Sequence, residues 1–150
     1  LPFPDTLLRC RPQVAPPAYL REGGADSDRW SMQPVLPRLH EATGRTGWPL
    51  LGPWPDLAGA CTLDEAQVRA LRQCLTREVA LVQGPPGTGK TFIGLLAMRA
   101  LLANGHKRRA APVLVVCYTN HALDQFLEGV LAFEERLVRI GSRSRSVALE

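Results

Sequence analysis

Residues 83–91 read Q-G-P-P-G-T-G-K-T, set between a short apolar run, V-A-L-V (79–82), and a long apolar segment that starts at Phe92. Gly84 to Thr91 satisfies G-x-x-x-x-G-K-[ST], a pattern with chemical meaning only where a strand turns into a helix. Glycines let the backbone turn tightly and bring successive amide hydrogens close to a polyphosphate, with the positive end of a helix dipole behind them. The stretch Gly84, Pro85, Pro86, Gly87, Thr88, Gly89, Lys90 and Thr91 is therefore read as a triphosphate cradle for ATP. Lys90 is placed at the β- and γ-phosphates and Thr91 at Mg²⁺, the two residues assigned to catalysis. Pro85 and Pro86 stiffen the turn and lower the cost of ordering it around a ligand.

The flanks set the fold class. V-A-L-V is short and apolar on both faces, as a central parallel strand requires. Residues 90–104 are helix-forming and apolar nearly all round, which predicts a buried helix, and Asn104-Gly105 supplies a stop signal. The pattern then repeats: P-V-L-V-V-C (112–117) reads as a second strand, Ala122 to Leu131 as a helix stripe, and L-V-R-I (137–140) as a third strand. Upstream, Thr62 and Glu65 have the spacing of a capping box, and Val68, Leu71 and Leu75 continue it as a helix over 63–76. Alternating strands and helices give an α/β chain with a parallel P-loop NTPase sheet and flanking helices.

Ten of the 13 prolines fall before residue 56. Residues 1–60 are accordingly expected to be an irregular proline-rich linker, or the end of an upstream accessory region. Its tryptophans, at 30, 48 and 54, suggest packing onto something else. Residues 61–150 are expected to be the first part of a lobe that stops before its acidic Mg-binding motif, an incomplete domain in a chain that begins at Leu1. The net charge is +4, with all of the basic excess after residue 60, and 16 of the 18 basic residues are arginines. Guanidinium groups suit phosphate contacts because they are planar, permanently charged and bidentate. Lys107-Arg108-Arg109, Arg139, Arg143 and Arg145 are candidates for a phosphate track, with a solvated surface as the competing reading. Cysteines 10, 61, 74 and 117 have neither disulfide-framework nor zinc-site spacing, and they read as reduced thiols of an intracellular protein; a cytoplasmic rather than nuclear location is expected. No apolar run is long enough to cross a bilayer.

The loop string G-P-P-G-T-G-K-T is shared by AAA+ machines and superfamily 1 helicases, so its neighbours must choose between them. Gln67, in L-D-E-A-Q and 17 residues before Gly84, looks like an adenine-recognising glutamine, whose amide both donates and accepts. V-L-V-V-C-Y-T-N-H-A-L-D-Q-F-L (113–127) resembles helicase motif Ia. A hydroxyl, an amide and free helix N–H groups at such a strand end can hold the phosphates of a single strand without reading its bases. Thr119, Asn120 and His121 are the candidate contacts. The competing readings are a helix cap for Thr119 or Asn120 and an ordinary surface position for His121.

Together with V-R-I-G-S-R-S (138–144), these strings resemble the Upf-like branch of superfamily 1, and within it the NFX-type zinc-finger-containing helicases. The resemblance covers residues 62 to about 145. It implies an ATP- and Mg²⁺-dependent helicase moving on single-stranded RNA, or on DNA, in RNA surveillance, silencing or antiviral response. It also implies a second RecA-like lobe and a zinc-finger region elsewhere in the full-length chain, and RNA-silencing machinery as partners. Hydrolysis needs an acidic pair at a strand end and an arginine on the transferring phosphoryl group. Glu134-Glu135 precedes a strand instead, so the stretch on its own is expected to bind ATP weakly and hydrolyse little. The alternatives are a nucleotide- or RNA-binding scaffold without turnover, and an AAA+ ATPase.

Overall fold

The computed structural model describes residues 8–9, 13–21, 29–38, 47–54, 57, 61–105, 112–141, 144 and 146–149. Lys107, Arg108, Arg109, Arg143, Arg145 and Cys10 lie outside the described residues. The chain divides into two compact units, Leu1–Asn104 and Gly105–Glu150.

The first unit runs α1 (Ala18–Arg21), β1 (Arg29–Trp30), β2 (Trp48–Pro49), α2 (Glu65–Thr76) and α3 (Lys90–Gly105). β1 and β2 pair antiparallel, Arg29 opposite Pro49 and Trp30 opposite Trp48. Helix α2 begins at Asp64, not at Thr62. The Asp64 carboxylate accepts from the Gln67 N–H (2.8 Å), and the Asp64 N–H donates to Gln67 Oε1 (3.1 Å). This D-x-x-Q box displaces the expected T-x-x-E box because aspartate caps at least as well as threonine; Leu71 and Leu75 lie on the buried face. Each fully buried leucine contributes roughly 1.5–3 kcal/mol.

Leu71 and Leu75 share one core with Ile93, Ala97 and Ala100 of α3 and with Leu20, Trp30, Trp48 and Leu50 from the proline-rich stretch. Polar ties join the same pieces. Tyr19 Oη donates to Leu75 O at 2.7 Å, the Glu78 N–H to Ala15 O at 2.8 Å, and Arg72 Nη2 to Gly52 O at 2.9 Å. Helix α3 ends at Gly105, at the stop signal Asn104-Gly105, and Asn104 is in addition a buried clamp. Its Oδ1 accepts from the Ser31 N–H (2.8 Å), while Nδ2 donates to Ser31 O (3.1 Å) and Ala100 O (2.8 Å). One amide thus satisfies both backbone groups of Ser31, as a neighbouring strand would. Helix α3 buries one face; Phe92 on another is 46% exposed.

The second unit holds α4 (Asn120–Leu131), capped by Thr119, and a 3₁₀ turn at Val147–Leu149. Leu127 and Val130 are its buried apolar helix positions.

The expected parallel ladder is not formed among the described residues, whose one sheet is the β1–β2 pair. Segments 79–82, 112–117 and 137–140 carry no strand pairing, and Leu81, Leu114, Val116, Val138 and Ile140 are each at least 80% exposed. The physical reason is that a strand apolar on both faces is stable only between hydrogen-bonded neighbours and under helices on both sides. A run of four to six residues supplies none of these by itself.

Candidate functional site

The turn Pro86–Thr88 leads into the first residue of α3, Lys90. Gly87 and Gly89 have φ of 82° and 83°, on either side of Thr88. Left-handed residues interleaved with ordinary ones make successive N–H groups converge on one concavity, and the first N–H groups of α3 are free of intrahelical partners by construction. Lys90 reaches back over this turn, its Nζ donating to Gly84 O and Pro85 O, both at 2.7 Å. Its ammonium therefore lies against the loop, with a third N–H still to place. Thr88 Oγ1 donates to Pro85 O at 2.9 Å and braces the turn from inside. Lys90 and Thr91 are both exposed.

Gln67 meets this loop. With Oε1 held by the Asp64 N–H, its Nε2 donates to Thr88 O at 3.3 Å. The site is close-fitting there: a Cβ on Gly89 would come within 2.9 Å of Gln67 Nε2. The structure thus brings together Gln67, Gly84, Pro85, Pro86, Gly87, Thr88, Gly89, Lys90 and Thr91. It adds Asp64, the residue that orients Gln67, which the D-x-x-Q spacing could have revealed. These residues fit a nucleoside triphosphate and its Mg²⁺: converging N–H groups and an ammonium for the phosphates, a hydroxyl at the second helical residue for the ion, and an amide beside the loop.

In the second unit, Thr119 Oγ1 accepts from the Ala122 N–H at 3.2 Å, so Thr119 is the cap of α4. Asn120 and His121 follow it, both exposed. Arg139 is not part of a solvated basic track. Its side chain is 7% exposed and forms an ion pair with Asp124, 8% exposed, at 2.6 Å. Neither residue's sequence neighbours signal this pairing, since the partners are 15 residues apart.

Among the described residues there is no cluster of three metal-ligating side chains, and no helix is long and apolar enough to cross a membrane.

Residues 62–150 match the family model described as an AAA domain. The whole chain aligns with NFX1-type zinc finger-containing protein 1 of Homo sapiens (41% identity over 167 residues) and of Mus musculus (40% over 166). It covers 8% of the length of each. The helicase required for RNAi-mediated heterochromatin assembly 1 of Schizosaccharomyces pombe is 44% identical over 87 residues, 58% of this chain and 9% of that protein. The ATP-dependent helicase upf1 of the same yeast is 36% identical over 85 residues, 55% of this chain and 9% of that protein. No solved structure matches. A P-loop matched over the greater part of the chain, with helicases as its relatives, decides between the two groups that share the loop string: the chain belongs to the AAA domain family, the P-loop NTPases of the Upf-like superfamily 1 helicases.

Proposed function

We propose that residues 61–150 are the nucleotide-binding first part of a RecA-like lobe in an ATP-dependent helicase that acts on single-stranded RNA, with residues 1–60 as the end of an upstream region. The observation that carries this is the Gln67–Thr88 hydrogen bond, which ties the base-recognising helix to the phosphate loop. In this reading the loop N–H groups and Lys90 bind the phosphates, and Thr91 contributes its hydroxyl to Mg²⁺, which neutralises charge on the transferring group. Gln67 selects adenine with the second lone pair of Oε1 and the second hydrogen of Nε2. Thr119, Asn120 and His121 hold nucleic-acid phosphates at the start of α4, where the helix dipole favours anions.

The relatives supply the setting. One is named for its zinc fingers and one for RNAi-mediated heterochromatin assembly. The full-length protein is accordingly assigned a second lobe, a zinc-finger region, RNA-silencing partners and an intracellular, cytoplasmic location. The test is RNA-stimulated ATP hydrolysis by the full-length protein beside its Lys90→Ala variant. Loss of at least a hundredfold in turnover is expected, and unchanged turnover removes Lys90 from the phosphate site.

A further inference from the structure

Arg139 and Ser144, from the V-R-I-G-S-R-S stretch, hydrogen-bond with Asn120 and Asp124 at the start of α4. Arg139 spreads its guanidinium over three acceptors: Nε donates to Asp124 Oδ1 (2.6 Å), Nη1 to Gly141 O (3.0 Å) and Nη2 to Asn120 Oδ1 (3.3 Å). Asp124 is held in turn by Ser144 Oγ, which donates to Oδ2 at 3.2 Å. The pair is buried, so its geometry is fixed by its partners and not by solvent.

A guanidinium has donors and no acceptor, so only the oxygen of the Asn120 carboxamide can face it. The amide NH₂ must then face away. Asn120 is exposed, and among the described residues nothing accepts from Nδ2. An unrestrained asparagine turns either end outward, and an outward oxygen would repel a phosphate. Fixing the amide removes that half of its orientations.

We infer that Arg139, anchored by Asp124, is a positioning residue that locks Asn120 with its NH₂ outward, as a donor to a phosphodiester oxygen of single-stranded nucleic acid. The inference rests on the proposed reading of the α4 turn as a nucleic-acid contact. Arginine is required because its planar fork reaches the carboxylate, the Gly141 carbonyl and the amide oxygen together, whereas a lysine keeps the charge beside Asp124 and loses the fork.

The test is the affinity of the full-length protein for a fluorescein-labelled 12-nucleotide oligouridine and for the matching oligo-dT, by fluorescence anisotropy at fixed salt. Asn120→Ala should weaken both by about three- to tenfold, the range for one hydrogen bond. Arg139→Lys should cost the same, and Arg139→Lys with Asn120→Ala should cost no more than either alone. Affinity for an ATP analogue should not change in any of them. A loss with Asn120→Ala but none with Arg139→Lys, or losses that multiply in the double variant, would overturn the positioning role and leave the contact standing. No loss with Asn120→Ala would remove the contact itself. A loss on oligouridine alone would mean that a ribose hydroxyl, not a phosphodiester oxygen, is the ligand, against the inference. Should Arg139→Lys fail to fold, Asn120→Asp keeps an acceptor toward Arg139 while turning a carboxylate oxygen outward. It should bind more than tenfold weaker than the parent, and parental affinity would refute the inference.

Discussion

Gly87 and Gly89 offer a paired test of how the phosphate loop is built. Both are left-handed, at φ of 82° and 83°, so alanine at either one carries the same backbone penalty of roughly 1–2 kcal/mol. They differ in what the new methyl meets. A Cβ on Gly87 has no atom within 4 Å, whereas one on Gly89 comes within 2.9 Å of Gln67 Nε2 and must push that amide off Thr88 O. The displaced bond is 3.3 Å long and exposed, which puts its worth near the low end for hydrogen bonds, about 0.5–1 kcal/mol.

Because ATP binding needs the loop in its native turn, these energies appear as lost affinity. Gly87→Ala should weaken ATP binding by about 5–30-fold, and Gly89→Ala by a further two- to fivefold. A competition titration against a fluorescent ATP analogue, with Mg²⁺ and the full-length protein, measures both. In a Gln67→Ala background there is no amide to displace, so the gap between the two variants should close while the shared loss remains. If Gly87→Ala binds like the parent, the positive φ is not required for binding. If the gap is absent, or survives in the Gln67→Ala background, then Gln67 does not support the loop through Thr88.

Two further outcomes concern the first unit. Asn104→Ala should destabilise it by about 2 kcal/mol, since the Ser31 N–H and C=O lose a shared partner while alanine gains a little in helix propensity. Urea unfolding followed by the fluorescence of the three tryptophans, at positions 30, 48 and 54, reads this directly, and a midpoint equal to the parent's would show the clamp to be redundant. Burial raises the Cys74 thiol above its ordinary value of 9.0, so the folded state holds this proton longer than the unfolded chain. The resulting stability is intact below pH 9.0 and is lost as pH rises from there through the raised value. Cys74→Ser should flatten that alkaline decline, and an unchanged slope would assign it to other groups.

The outcome of each sequence expectation follows from where the deciding partner lies. The phosphate loop and the start of α3 at Lys90 were legible because the glycines, Thr88 and Lys90 that make the turn lie within a few residues of one another, whereas the brace from Gln67 comes from 21 residues before Thr88. The capping of α2 was legible in kind and shifted by two residues: T-x-x-E and D-x-x-Q overlap at 62–67, and both hydrogen bonds of the second box are formed. Apolarity at 79–82, 112–117 and 137–140 said that these residues prefer cover, yet pairing is a relation between segments, and no local pattern states with whom a strand pairs. The missed polar partnerships share one cause. Arg139 looked like part of a basic track because its partner, Asp124, lies 15 residues away in sequence, and the clamp that Asn104 adds to its place at the helix end stayed hidden because Ser31 lies 73 residues away.

That same distance makes these polar residues informative. A capping box between residues 64 and 67 could have served α2 alone, but it also leaves Gln67 Nε2 toward Thr88, so one local motif orients the side chain that touches the phosphate loop. At α4, Thr119 caps the helix through its hydroxyl oxygen while Asn120 is engaged by a buried arginine. Capping uses the Thr119 hydroxyl oxygen as an acceptor and leaves its O–H as a donor, so capping and the proposed phosphate contact do not compete. In each unit a neighbouring donor, the Asp64 N–H or the Arg139 guanidinium, holds the oxygen of a carboxamide and so fixes the direction of its NH₂. The Gln67→Ala background and the Asn120→Asp variant test this directly, because each changes what the amide offers without touching the backbone of its turn.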